Sequence, residues 1–359
     1  MWPHSSLGML LLPLLGLPGP AHPCWKRGGQ PEAVRSITTV FRRNESGYDC
    51  FRIPGLVRTP QGALLVMSEG RKFCPRCEDY CGQHDLVAKR STDGGRNFGE
   101  LIRVVDVPKA FGAEFGGPKG GAVWDPTPVA STRSGAVFVW FSFSSSDRAS
   151  MRGLRTTWMV SSTDNGLTWP TLRNMTSVLN AQHADPSLPL TQRWSWIQTG
   201  GGGGGIETSS GRLVVPGYHG QCNAEGWACS SCPLSGHGGA CVAPTGGVAP
   251  QGDGWITYSH VWWSDDAGSS WNVSGGFGAS TAEGSVVELF DEPAGQDLIS
   301  AGRMDLSPAC MVDGKREACP DSFFMNCTLE AAGGGRRRDA AVPHCRRLSR
   351  SSDGKQSIP

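Results

Sequence analysis

Three stretches, Ser91–Phe98 "STDGGRNF", Ser162–Trp169 "STDNGLTW" and Ser264–Trp271 "SDDAGSSW", share one pattern: Ser-x-Asp-x-Gly-x-x-aromatic. Ser and Asp side chains can accept nearby backbone N–H groups, Gly supports a left-handed turn, and the ring folds back on the flanking chain. Each copy is therefore expected to close a hairpin. The copies begin 71 and 102 residues apart, which marks an internal repeat with insertions of varying length. A fourth copy, "SSDGKQSI" (Ser351–Ile358), starts alike but carries Lys355 where the glycine belongs.

The segments around these turns are short apolar runs: "ALLVM" (Ala63–Met67), "AVFVWFSF" (Ala136–Phe143), "TTWMV" (Thr156–Val160), "RLVVP" (Arg212–Pro216), "WITYSHVWW" (Trp255–Trp263) and "SVVELF" (Ser285–Phe290). Each is bounded by Gly, Pro, Asp or Ser and none holds a helical period, so they read as strands. Fifty glycines, 25 prolines and 13 tryptophans suit many short strands with tight connections. An all-β chain built of repeated four-stranded units points to a propeller. The glycine run Gly200–Gly205 and the segments Gly238–Gly254 and Ala331–Pro343 are too Gly-rich for blade strands, and the latter two read as surface insertions, the triplet Arg336–Arg338 as a solvated loop.

Charged residues form 18% of the 359 and the net charge is +1, so bulk charge gives no attraction for nucleic acid or an acidic membrane. The apolar run Leu7–Leu17 is too short to cross a bilayer but fits a signal-peptide core, with His4 the one positive candidate before it. Residues 1–22 are read as a signal peptide and 35–359 as the folded domain. Thirteen cysteines and four Asn-x-Ser/Thr sequons, at Asn44, Asn174, Asn272 and Asn326, agree with passage through the secretory pathway to an extracellular or lysosomal site. Cys74, Cys77 and Cys81, with Cys229 and Cys232, could be halves of a zinc site. They stand some 150 residues apart without a histidine at zinc-finger spacing, so disulfides in long loops are the better reading and no metal or cofactor is expected.

The stretch "YDCFRIPGLV" (Tyr48–Val57) sets Arg52 inside a run expected to be buried. A buried arginine needs an anionic partner, either an acid such as Glu69 or a ligand. A Phe-Arg-Ile-Pro motif followed by several Asp boxes resembles the sialidases, or neuraminidases, over about Val40 to Gly354. The resemblance implies a six-bladed β-propeller of which about four blades are present. It also implies release of terminal sialic acid from glycoproteins, glycolipids and oligosaccharides with retention of configuration, as in ganglioside and oligosaccharide catabolism. Asp boxes also occur in sortilin-like receptors, which keeps a non-catalytic secreted propeller as an alternative; a trans-sialidase would share the same residues.

Residue by residue, the resemblance places Arg52 first in an arginine triad that grips the sugar's carboxylate, since a guanidinium matches a carboxylate in charge and two-point geometry. Asp79 matches the acid/base on the following loop, with Asp85 second. Arg71 and Asp125 match substrate-contacting residues, and Tyr218 in "VVPGYHG" matches a tyrosine facing the pocket near the glycine run. Glu283 matches the glutamate that takes the proton of a tyrosine nucleophile, with Glu288 as the strand-facing alternative, and Arg303 matches the second triad arginine. The nucleophile itself and the third arginine have no counterpart: Tyr48, Tyr80, Tyr218 and Tyr258 all precede Glu283. That sets against turnover by these residues alone, and the sequence reads as a piece of a longer chain or a degenerate relative, the former favoured by the stop within a repeat.

Overall fold

The computed structural model describes residues 37–79, 81–145, 155–176, 178, 194–221, 256–276 and 281–289, and the backbones of 297–304, 311–312, 315–316 and 346–351. The chain divides into Met1–Thr38 and Thr39–Pro359, and nearly every described residue belongs to the second part. The expected signal peptide, the insertions at 238–254 and 331–343, Tyr80 and the cysteines at 229 and 232 lie outside the described residues.

Four antiparallel meanders follow one another. The first is β1 (Cys50–Arg58), β2 (Leu64–Lys72), β3 (Gln83–Ser91) and β4 (Ile102–Val105); a five-residue helix, α1 (Val107–Phe111), follows it. The second is β5 (Gly121–Ala130), β6 (Val137–Ser145), β7 (Thr156–Ser162) and β8 (Thr171–Asn174), joined to the first by a single parallel bridge from His84 to Ala122. In the third, β9 (Trp194–Thr199) and β10 (Ile206–Glu207) both pair with β11 (Leu213–Gln221), which continues to β12 (Ile256–Ser264) and β13 (Asn272–Val273). After β14 (Thr281–Leu289) and β15 (Asp297–Met304) comes a two-residue hairpin pair, β16 (Met311–Val312) and β17 (Lys315–Arg316), and then β18 (Arg346–Ser351), which closes the fourth sheet against β15. The result is an all-β, propeller-like arrangement.

Alternation builds the core. Along β6, Phe138 and Trp140 join one apolar cluster while Val139, Phe141 and Phe143 join another, so both faces are covered. Trp140 stacks on Trp262 of the third meander with centroids 4.8 Å apart, and both rings are fully buried, so this contact welds the second and third meanders.

The repeated turns do what their composition dictates. In all three the Ser hydroxyl donates to the Asp carboxylate (Ser91 to Asp93 2.7 Å, Ser162 to Asp164 2.8 Å, Ser264 to Asp266 2.7 Å) and accepts the glycine N–H at 2.9, 3.0 and 2.8 Å. The glycines hold φ of +87°, +81° and +95°. Each turn closes the outer hairpin of its meander, β3 to β4, β7 to β8 and β12 to β13, as expected. The turns also reach the preceding meander: Arg90 Nε donates to the Asn165 carbonyl at 2.9 Å, and Arg133 Nη1 donates to the Asp265 carbonyl at 3.0 Å.

One irregularity recurs on the first strand of the first, second and fourth meanders. Ile53 and Pro54 together oppose Ser68; Asp125 and Pro126 oppose Phe141; Ala282 and Glu283 oppose Arg303. In the third meander the six glycines Gly200–Gly205 interrupt the strand between β9 and β10. Bulges re-aim side chains, and these carry or adjoin Arg52, Asp125 and Glu283. Ile53 and Asp125 sit at φ +52° and +53°, a region that L-residues avoid, the β-branched Ile53 above all.

Candidate functional site

The expectation that Arg52 lies in a buried run is corrected: Pro54 and Leu56 are exposed, Leu56 at 59%, and the Arg52 side chain is 36% accessible. At the bulge Arg52 and Ile53 are half-buried and Pro54 is exposed, while Gly55 packs against Pro128 and Cys50 stays in the core. Arg52 Nη1 forms an ion pair with Asp79 Oδ1 and lies 3.4 Å from the Cys77 carbonyl. Its own carbonyl accepts the Ser68 hydroxyl at 2.7 Å, which pins the strand immediately before the bulge.

Glu69 does not pair with Arg52 directly. It takes Arg71, whose Nε donates to Glu69 Oε2 at 3.0 Å and whose Nη2 reaches the same oxygen, both residues being fully buried. Glu69 Oε1 accepts the backbone N–H of Asp125 at 2.9 Å, so this one carboxylate ties β2 to the bulge of β5. Arg71 also donates to the Glu78 carbonyl, lies 3.8 Å from Asp79 Oδ1, and covers the Trp124 ring at 5.8 Å. Burial pushes the Glu69 carboxyl up, opposed by Arg71. Burial and the Arg71 charge bring His84 down to about 3, so it stays neutral and donates from Nε2 to the Cys81 carbonyl at 2.8 Å.

Asp125 receives the Gln198 amide and the Tyr218 hydroxyl, the latter at 3.3 Å, both on Oδ2. Burial, then the neighbouring Glu69 and Glu283 carboxylates, push its carboxyl up to about 8. Glu283 sits against the glycine run: a Cβ on Gly201 would stand 2.2 Å from Glu283 Cγ, and Gly284 N donates to the Gly200 carbonyl at 2.8 Å. A Cβ on Gly203 would meet the Gly284 carbonyl oxygen at 2.4 Å and one on Gly205 the Val214 carbonyl oxygen at 2.6 Å. The glycines therefore serve close passage of backbone among neighbouring strands.

Of the residues expected from sequence, Arg52, Arg71, Asp79, Asp125, Tyr218 and Glu283 fall into one connected group. Arg303 is placed by its backbone on β15, opposite the Ala282–Glu283 bulge, and its side chain lies outside the described residues. The two reserve carboxylates have structural occupations. Asp85 is buried and takes the Tyr48 hydroxyl at 2.9 Å, Lys72 Nζ at 2.9 Å, the Gln83 amide at 2.7 Å and Val107 N at 2.9 Å. Glu288 accepts Ser209 N and Oγ at 2.8 and 2.9 Å, joining the fourth meander to the third. Sequence reasoning missed Gln198, which carries no motif, and met Glu69 only as a partner for Arg52.

The cysteines form Cys50–Cys77 and Cys74–Cys81 disulfides, which agrees with the expected reading for this half of the cluster, and no metal-binding group of side chains occurs among the described residues. No helix among those residues is long and apolar enough to cross a membrane.

The raised Asp125 carboxyl fixes the sign of a pH dependence. A folded-state value near 8 against an unfolded value of about 3.9 means that folding takes up a proton, so this group stabilises the fold at low pH and the benefit fades as pH rises toward 8. Asp164 and Asp266 run oppositely: hydrogen bonds from Thr168 and Ser270 hold them down to about 2, so their contribution is lost only as pH falls toward that value. The melting temperature is expected to rise on acidification from pH 8 to about 6.5, to level off below that as the unfolded chain protonates the histidine that the fold keeps neutral as His84, and to fall below about pH 4. Asp125→Asn should flatten the upper limb and leave the lower one intact; an unchanged upper limb would place the proton elsewhere.

Repeated antiparallel meanders whose first strands bulge toward a shared group of arginines and carboxylates define a propeller-like class of protein. A model of the BNR repeat-like domain matches residues 53–292, more than half of the chain. The chain is 35% identical over 179 residues to a sialidase of Bacteroides fragilis, covering 46% of this chain and 30% of that protein. It is 28% identical over 232 residues to an exo-alpha-sialidase of Arthroderma benhamiae, covering 56% and 50%. Among solved structures, Hadza microbial sialidase Hz136 superposes with a TM-score of 0.52 at 21% identity, over 72% of this chain and 43% of that one, a likeness of fold. The chain thus belongs to the BNR repeat-like, sialidase family. It spans half or less of the length of these relatives.

Proposed function

We propose that the protein is a retaining exo-α-sialidase of six-bladed type, acting on sialylated glycoproteins, glycolipids and oligosaccharides, and that the residues of this chain hold the sugar acid and move its proton. The observation that carries the reading is the Arg52–Asp79 ion pair beside Arg71, Asp125, Tyr218 and Glu283. It brings an anion receptor and a half-exposed carboxyl side by side, at 36% and 56% accessibility.

In this reading the sugar's carboxylate takes the place of Asp79 on Arg52, leaving Asp79 free to protonate the departing glycosidic oxygen and later to deprotonate water. Asp125 and Tyr218 bind sugar hydroxyl or amide groups, and Arg71 fixes the loop that carries Asp79. Glu283 receives the proton of a tyrosine whose oxygen attacks the anomeric carbon; a phenol suits this attack because the substrate already carries a negative charge there. No tyrosine of this chain is assigned to that step. Tyr48 and Tyr258 have their hydroxyls pushed up by burial, the wrong direction for a nucleophile. Arg303 is assigned to the carboxylate alongside Arg52. Passage through the secretory pathway to an extracellular or lysosomal site belongs to the same proposal.

Calorimetric titration with 3′-sialyllactose tests the binding step. Arg52→Ala is expected to weaken it about 10- to 100-fold, the loss of a charge-assisted pair of about 1.5–3 kcal/mol. Unchanged affinity would remove Arg52 from the receptor. Release of free sialic acid tests the enzymatic step. Binding without release at any pH would favour a sugar-binding propeller, and transfer to an added galactoside would favour a trans-sialidase.

A further inference from the structure

The loop between β2 and β3 carries Asp79, and its described residues provide little apolar anchoring: Phe73 is 53% exposed, and Pro75, Arg76, Glu78 and Asp79 are exposed. Two cross-links take the place of a core. Cys50, two residues before Arg52, is bonded to Cys77, two residues before Asp79. Cys74–Cys81 closes a short loop around Glu78 and Asp79, with a sequence separation of 7. The remaining ties are polar: Arg71 to the Glu78 carbonyl, Arg52 to Asp79 and the Cys77 carbonyl, Arg43 Nη2 to the Pro75 carbonyl at 2.6 Å, Cys77 N to the Cys74 carbonyl at 2.9 Å, Cys74 N to Asp49 Oδ2 at 2.6 Å, and the His84 ring to the Cys81 carbonyl at 2.8 Å.

We propose that these two cystines are positioning residues for Asp79, and that opening Cys74–Cys81 uncouples the carboxyl from the Arg52 side of the site while the meanders stay folded. The proposal rests on the sialidase reading for its catalytic consequence. A cross-link limits the conformations open to the segment between its ends, and here that segment contains the acid. Cys50 and Cys74 are buried whereas Cys77 and Cys81 are half-buried, so each bond offers one accessible end. With dithiothreitol as reductant, a reagent thiolate attacks Cys81 Sγ and Cys74 leaves as a thiolate that takes up a proton. The reagent's second thiolate then attacks the mixed disulfide, freeing Cys81 as a thiol. Two electrons pass to the protein, and the reagent ends as its cyclic disulfide.

The test compares leaving groups. An aryl sialoside departs with little proton assistance, whereas the sugar of 3′-sialyllactose needs it. Cys74→Ser/Cys81→Ser is expected to lower kcat/KM about 100-fold on 3′-sialyllactose and by less than about tenfold on 4-methylumbelliferyl sialoside, general-acid assistance contributing about 10²–10⁴. Equal losses on both substrates, or none on either, would overturn the positioning role. Should the double variant not fold, dithiothreitol treatment of the folded protein followed by reoxidation, which opens and recloses both accessible cystines, applies the same two-substrate comparison to the pair together. If the native protein turns over neither substrate, the sialidase reading fails and hydrogen exchange decides the positioning claim by itself. Exchange of the Cys77 amide at least about tenfold faster after opening of Cys74–Cys81 supports it, and unchanged exchange overturns it.

Discussion

Arg71→Met is expected to remove about 3–5 kcal/mol of unfolding free energy, seen as a lower urea midpoint at unchanged slope. The charge lost is the one that compensates Glu69, a carboxylate with no accessible surface whose titration burial already pushes up. Without the guanidinium, the carboxylate would keep only the weaker influence of the Arg52 charge, beside the raised Asp125 carboxyl and a neutral His84. Protonation of Glu69 is its relief. The folded state of the variant would then bind a proton that the unfolded chain releases above about pH 4.3, so its deficit shrinks as pH falls toward that value. Glu69→Leu combined with Arg71→Met removes both charges and should recover most of the loss. The N–H of Asp125 would still lack its acceptor, leaving about 1–3 kcal/mol unrecovered. A loss within about 1 kcal/mol for Arg71→Met alone would mean that water reaches the pair in the folded protein.

The same pair shows where the sequence is legible and where it is not. The run Ala63–Met67 marks a strand because its residues are apolar, yet β2 continues through Ser68, Glu69 and Gly70 to Lys72. Hydrophobic pattern ends where buried charges begin, and only tertiary pairing lets Glu69 and Arg71 remain in a covered strand. Likewise Arg212–Pro216 reads as a strand, but β11 runs on to Gln221 and so carries Tyr218 toward Asp125. The repeated turns were fully legible because their chemistry is local: Ser, Asp and Gly of one octapeptide bond among themselves. The bulges were not, since a bulge is a mismatch between two strands and neither strand states it alone. Arg52 and Asp79 emerged from a motif and a family pattern, whereas Gln198 reaches Asp125 only through the register of β9 on β11. Composition pointed to disulfides over zinc, but which cysteines join was set by β1 lying against the Asp79 loop.

Gly268→Ala should cost about 2–5 kcal/mol, whereas the matching change at Gly95 should cost about 1–2 kcal/mol, although the two glycines hold the same place in their repeats. Both have positive φ, +95° and +87°, so each substitution bears the cost of a left-handed L-residue. The surroundings differ. A Cβ at Gly95 would meet Leu64 Cδ1 at 3.4 Å, the tip of a side chain able to give way. At Gly268 it would stand 2.1 Å from Phe138 Cζ, and that ring is held edge-on to Trp271, which in turn packs on Trp140. Nothing in that stack can yield without disturbing the contact between the second and third meanders. Gly166 falls between, with Leu65 Cδ1 at 2.6 Å in a fully buried side chain. Thermal or urea unfolding of the three alanine variants should therefore rank Gly268 as most damaging, then Gly166, then Gly95. Equal losses would mean that the glycines serve the turn alone; the graded order would mean that the repeat, identical within each turn, has been adapted at its second and third copies to clamp one meander on the last.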